Sequence, residues 1–148
     1  MLGELTPVEV EDLLHTELVA RIGCHGNGMV YVVPISYAYD GEALYGHSRD
    51  GLKLRLMRRN PHVCVEVDRL DDLANWRNVI AWGTFEELHG YAAQEGMTKL
   101  IERFSPLTTS ETARPGDQPG HRPGHGEAPP PIVYRIVLQQ KTGRFERG

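Results

Sequence analysis

Residues 46–61 read GHSRDGLKLRLMRRNP. As a strand, this stretch would make the chain one long run of β structure; as a helix, it interrupts the strands with a helical connection. Periodicity supports both, because Leu52, Leu54 and Leu56 alternate as in a strand, whereas Leu52 with Leu56 and Leu54 with Met57 stand at helical spacing. Propensity decides. Every residue from Leu52 to Arg59 is Leu, Lys, Arg or Met, all good helix formers without β-branching, and Asn60 before Pro61 marks the stop. The stretch predicts a short helix over 52–59 with Asp50 near its start.

Charge sets this helix apart. Arg49, Lys53, Arg55, Arg58 and Arg59 face one carboxylate, Asp50, in a chain of formal net charge −4. Gly51 allows close approach of a ligand, and the first turn of a helix carries backbone N–H groups without intrahelical partners. With Lys53 as a point charge and Ser48 as a neutral donor, the arrangement suits the dianion of a phosphate monoester. Arg55, Arg58 and Arg59 read instead as solvent-facing or subunit-contact residues.

Upstream, LTPVEVEDLL opens with Thr6 as N-cap, Pro7 in the first turn and Glu9 three residues after the cap, a capping box that predicts a helix. From Leu18 the pattern turns to β. LVARIGC and MVYVVPISYAY flank GNG, where Gly26 and Gly28 are expected to supply positive φ angles for a hairpin, and Asp40-Gly41 predicts a second hairpin into EALYGHS. Downstream, HVCVEVDRL alternates around Val63, Val65 and Val67, and NWRNVIAWGTFEEL reads as a longer strand with a bulge or a close approach at Gly83. YAAQEGMTKLIERF has helical spacing. From Thr108 to Pro131 there is no Val, Ile, Leu, Met, Phe, Tyr or Trp, so this Pro/Gly-rich segment (108–131) is expected to be a mobile loop. PIVYRIVLQQ restores a strand, and KTGRFERG is expected to contain a Thr-Gly turn. The result is about six strands and three helices: a mainly β chain with peripheral helices, its antiparallel sheet closed into a small barrel.

The 148 residues suit a single domain, 1–148, and the 40% hydrophobic and 24% charged content is that of a globular chain. No apolar run approaches the ~18 residues of a membrane span, and the N-terminus is acidic where a signal peptide is basic, so a cytoplasmic location is expected. An acidic balance excludes a nucleic-acid binder as the default. Cys24 and Cys64 stand singly in apolar stretches and read as buried thiols. GCHGNG joins two strands with no helix after it, so it is a hairpin and not a nucleotide loop. His121 and His125 have prolines between them, and no metal site is expected. No catalytic acid, base or nucleophile set is recognisable. Trp76 and Trp82 read equally as core or as walls for a flat aromatic ligand.

Taken together, YVVPISYAYDGEALYGHSRDGLKLRLMRRNPHVCVEVDRL, WRNVIAWGTFEEL and YRIVLQQKTGRF resemble the pyridoxamine 5′-phosphate oxidase-like split β-barrel proteins, in particular the branch of the nitroimidazole-resistance proteins. The resemblance implies a six-stranded antiparallel split barrel of the FMN-binding type, forming a homodimer with FMN in two clefts at the subunit interface. By the same resemblance Val33, Pro34, Ile35 and Ser36 contact the edge of the flavin ring, His47, Ser48 and Lys53 hold the phosphate, Trp76 and Trp82 wall the ring, and Arg135 is structural. Two departures stand out. The family's phosphate-binding arginine on the second strand is missing from MVYVVP, and so is the C-terminal Arg-Leu-Pro of true pyridoxamine phosphate oxidases. Vitamin B6 oxidation is therefore not expected. The expectation is an FMN-dependent oxidoreductase of a small electron-poor substrate, with NAD(P)H docking transiently; the alternative is a non-catalytic flavin- or haem-binding protein, since relatives carry haem or a deazaflavin in place of FMN.

Overall fold

The computed structural model describes residues 1–107 and 129–148. Most of the predicted loop, with His121 and His125, lies outside the described residues. The chain runs β1 (Leu2–Glu4), α1 (Pro7–Thr16), β2 (Val19–Gly26), β3 (Met29–Ser36), β4 (Ala38–Tyr39), β5 (Ala43–Ser48), α2 (Leu52–Arg59), β6 (His62–Asp72), β7 (Asn75–Glu87), α3 (Gly90–Phe104) and β8 (Ile132–Glu146). All pairings are antiparallel, in the order β3-β2-β6-β7-β8-β5-β4, with β1 added to β8.

The fold is mainly antiparallel β with peripheral helices, as the sequence predicts, but the strand count and closure differ. Six long strands are as read, while β1 and β4 add two more, making an eight-stranded sheet whose end strands β3 and β4 do not pair to close it. Strands of three and two residues are too short to show alternation. The sheet still curls around one core. Ile22 of β2, Val65 of β6, Val79 of β7, Tyr134 and Ile136 of β8 and Leu44 of β5 meet there, with Leu13 and Leu14 of α1 inserted among them.

Local chemistry accounts for the elements. The capping box of α1 is complete: the Glu9 amide donates to Thr6 Oγ1 at 3.2 Å and the Thr6 amide donates to Glu9 Oε1 at 3.1 Å. Asp40 Oδ1 accepts from the amides of Glu42 and Ala43 at 2.9 and 2.8 Å, and Gly41 takes φ 97°, which together turn β4 into β5. The first hairpin corrects the reading of Gly26. Its positive φ angles belong to Asn27 (53°) and Gly28 (74°), while Gly26 ends β2, where a Cβ would lie 2.9 Å from Leu56 of α2. The expected turn at Thr142-Gly143 is also absent, because β8 runs straight through both residues. Gly143 is needed for contact and not for turning: a Cβ there would lie 2.8 Å from Leu5 and 2.9 Å from Val10. Gly83 meets both expectations, since the β7–β8 register shifts between Trp82 and Gly83 and a Cβ would lie 2.5 Å from the Val137 carbonyl.

Candidate functional site

Helix α2 follows β5 after a three-residue turn and packs over β2 and β7. Its buried side carries Leu54, Leu56 and Met57. Lys53, one residue before Leu54, shares that inward side and is half-buried, its Nζ 5.6 Å from the centroid of the Tyr134 ring. Among the described residues no carboxylate pairs with it. Burial therefore disfavours its charge and lowers its pKa, with no neighbouring anion to offset the effect beyond a weak contribution from the Cys24 thiol. A half-buried cation without a counter-ion is an arrangement that an anion completes.

Tyr134 is a functional candidate that the sequence does not reveal. It is fully buried, and its hydroxyl is a buried polar atom without a hydrogen-bond partner. Burial alone raises its pKa, so it stays a neutral donor. The signal was faint: the alternation of VYRIV places Tyr134 inward, but nothing local says that its hydroxyl lacks an acceptor.

Strand alternation then sorts the predicted phosphate residues. Ser48 pairs in register with Ile132, which packs on the main core, whereas His47 pairs with Val133, whose methyl faces Gly96 of α3. Ser48 and Lys53 thus share the core side of β5, and His47 projects to the other face. The Ser48 hydroxyl donates to the Arg49 carbonyl at 2.9 Å. Desolvation first, and the Lys53 charge second, lower the His47 pKa and favour neutral imidazole.

The remaining candidates occupy other places. Val33 and Ile35 pair with Ile22 and Ala20 and face the core, while Pro34 and Ser36 face outward from edge strand β3, where a residue without an N–H interrupts no ladder on its free side. Val32, Gly23, Cys64, Trp82 and Gln140 form one register row across β3, β2, β6, β7 and β8, so Trp82 shares the outward face with β3. That face carries an exposed apolar patch, with Val30 80% exposed, Val32 62% and Trp82 41%, beside the ion pairs of Arg21 with Glu66 and Asp68. Trp76 lies farther along β7, its indole N–H donating to Glu146 Oε2 at 3.1 Å. Within one chain, then, Ser48 and Lys53 lie on the same core side, Trp82 joins the outer side of β3, and Trp76 stays apart from both. Arg135 donates to Glu86 at 2.7 Å and has a tying role. Among the described residues no group of three His, Cys, Asp or Glu side chains is placed to hold a metal, and no helix is long and apolar enough to cross a membrane.

Comparison with known proteins agrees with this architecture. The chain is similar to an FAD-binding protein of Mesorhizobium loti, 29% identical with a TM-score of 0.78, covering 98% of each chain. It also resembles a candidate 5-nitroimidazole antibiotic resistance protein of Bacteroides thetaiotaomicron (17% identity, TM-score 0.71, 98% of this chain and 87% of that one). An FAD- and haem-binding protein of Mycobacterium smegmatis has the same fold (18% identity, TM-score 0.71, 99% of this chain and 74% of that one). In sequence, 70 residues are 36% identical to an uncharacterised protein of Rhizobium meliloti; the match spans 47% of this chain and 46% of that relative. The pyridoxamine 5′-phosphate oxidase family model matches residues 6–145, and with nearly the whole described sheet inside that match, the chain belongs to the pyridoxamine 5′-phosphate oxidase family.

Proposed function

We propose that the protein is a flavin-dependent oxidoreductase that holds FMN as a homodimer and reduces a small, flat, electron-poor substrate such as a nitroaromatic. One observation carries the flavin reading: the inward Lys53 ammonium, desolvated and without a carboxylate partner, above the ring of a buried tyrosine whose hydroxyl is unsatisfied. The residues present fit a phosphate-bearing group, since Lys53 gives charge and Ser48 and Tyr134 give neutral donors. The family and the M. loti FAD-binding relative support a flavin.

Each part of the chain then has a task. Lys53 and Ser48 take the phosphate, and His47, on the opposite face of β5, feels the Lys53 charge only as a repulsion that keeps its imidazole neutral. Val33, Pro34, Ile35 and Ser36 offer the ring edge their backbone, and Trp82 and Trp76 wall it, one of them across the dimer. A second copy covers the exposed apolar residues Val30, Val32 and Trp82, since patches of this kind mark association surfaces. When bound, the flavin supplies reversible acceptance of electrons from a nicotinamide donor and their delivery to substrate.

The visible spectrum of the purified protein tests this. Flavin bands that bleach anaerobically with NAD(P)H and return with a nitro compound support the enzyme. A colourless protein that cannot be loaded with FMN or FAD refutes it. A Soret band supports a second reading, a haem-binding protein without turnover, which the lowered pKa of His47 favours by keeping its imidazole free to ligate.

A further inference from the structure

The outer side of α2 carries a second cationic feature that the flavin reading leaves unused. Arg58 is neutralised there by Asp50 at 3.1 Å and by Glu87. Arg55 and Arg59 are not. They stand one helical turn apart, both exposed, and among the described residues neither has an acidic partner; Arg59 Nη1 donates only to the neutral Oδ1 of Asn27, at 3.0 Å. Like charges at this spacing repel, and nothing nearby offsets that repulsion.

Both arginines line a cleft of about 620 Å³ whose other walls are Leu52, Leu56, the hairpin residue Asn27 and Arg58, the last already held by Asp50 and Glu87. Its frame is fixed: Arg59 is tied to Asn27, and Asn60 Nδ2 donates to the His25 carbonyl at 3.0 Å, so the tip of the β2–β3 hairpin is fastened to the end of α2. Lys53 turns inward to the Tyr134 ring and does not line this cleft, so the cleft is separate from the proposed flavin phosphate site.

We infer that Arg55 and Arg59 form a clamp for the phosphate monoester of a nucleotide, with the exposed Leu52 as the apolar wall for its base. Arginine forks match phosphate oxygens in pairs, two of them a turn apart can close on one phosphate from both sides, and the cleft has the volume of a small-ligand site. In combination with the proposed oxidoreductase function, on which this assignment of source rests, the ligand is the 2′-phosphate-bearing half of NADPH.

The test is calorimetric titration of the full-length protein with 2′,5′-ADP, with inorganic phosphate as the second arm. Wild type and Lys53→Gln should bind 2′,5′-ADP alike, and Arg55→Gln/Arg59→Gln should bind it roughly tenfold to hundredfold more weakly while keeping its flavin. Both arginines are exposed, and the Asn60–His25 bond still fastens the hairpin when the Arg59–Asn27 bond is lost, so the variant should melt cooperatively within a few degrees of the wild type. Absence of saturable binding to wild type, or unchanged binding to the double variant, overturns the clamp. Equal affinity for inorganic phosphate and 2′,5′-ADP overturns the nucleotide assignment. Loss of flavin in Lys53→Gln with retained 2′,5′-ADP binding supports both readings. A protein that never binds flavin yet binds 2′,5′-ADP through the two arginines leaves the clamp standing and removes its link to NADPH.

Discussion

The hydroxyl of Tyr134 occupies the space that a side chain at Gly46 would need: a Cβ on Gly46 would lie 2.6 Å from that oxygen and 2.7 Å from the ring carbon bearing it. Tyr134 is fully buried and cannot swing aside. Gly46→Ala should therefore cost about 2–4 kcal/mol of stability through overpacking, read by urea denaturation. A cost under ~0.5 kcal/mol would show that the Tyr134 ring relaxes freely.

Two buried tyrosines should respond in opposite ways to loss of the hydroxyl. Tyr37 donates to the Leu14 carbonyl at 2.7 Å, near the end of α1, so Tyr37→Phe should cost about 1–2 kcal/mol. Tyr134 has no partner, and Tyr134→Phe in flavin-free protein should be neutral or stabilising by up to ~1 kcal/mol. In flavin-loaded protein the same change should weaken retention of the cofactor, which equilibrium dialysis reads.

Lys53 predicts a pH dependence of its own. Burial places its pKa below the ordinary 10.5, so between the two values the unfolded chain binds more protons than the folded one, and stability rises with pH. The destabilisation is full below the folded pKa and gone above 10.5. Lys53→Met should thus stabilise the flavin-free protein near neutral pH, with the gain vanishing in strong alkali. Flavin affinity of the parent should fall as pH climbs through the Lys53 pKa, measured by fluorescence titration, whereas Lys53→Met should bind weakly at every pH.

Asp40 gives the acid counterpart. Burial opposes its ionisation, but the Ala43 amide, the Lys99 ammonium at 2.9 Å and the Glu42 amide outweigh it and bring the pKa to about 2. The depressed value means that this group stabilises the fold above its ordinary 3.8, and the contribution is lost as pH falls toward 2. After allowance for solvent screening it amounts to about 1–2 kcal/mol, so Asp40→Asn should lower stability near neutral pH and flatten the acid limb of the denaturation profile.

Much of this was legible in the chain. The capping box, the Asp40-Gly41 hairpin, the helix over 52–59 and the bulge at Gly83 rest on local rules that need no partner. Gly26 and Gly143 were misread for one reason: a glycine chosen for backbone flexibility and one chosen for close packing look alike until Leu56, Leu5 and Val10 arrive from elsewhere. In the site, the cluster of positive charge was visible, but its division was not. Whether a cation on a short helix turns inward like Lys53, finds an acid like Arg58 or meets only a neutral amide like Arg59 depends on Tyr134, Glu87 and Asn27, between 29 and 81 residues away along the chain.

Strand β8 hydrogen-bonds to β1, β5 and β7. Until residues 132–146 leave the ribosome, the β4–β5 hairpin has no sheet to join and the apolar groups on the inner faces of both halves have no common interior. A nascent chain therefore holds the two halves of its sheet unjoined, with hydrophobic surface uncovered, and is most prone to aggregate in that interval.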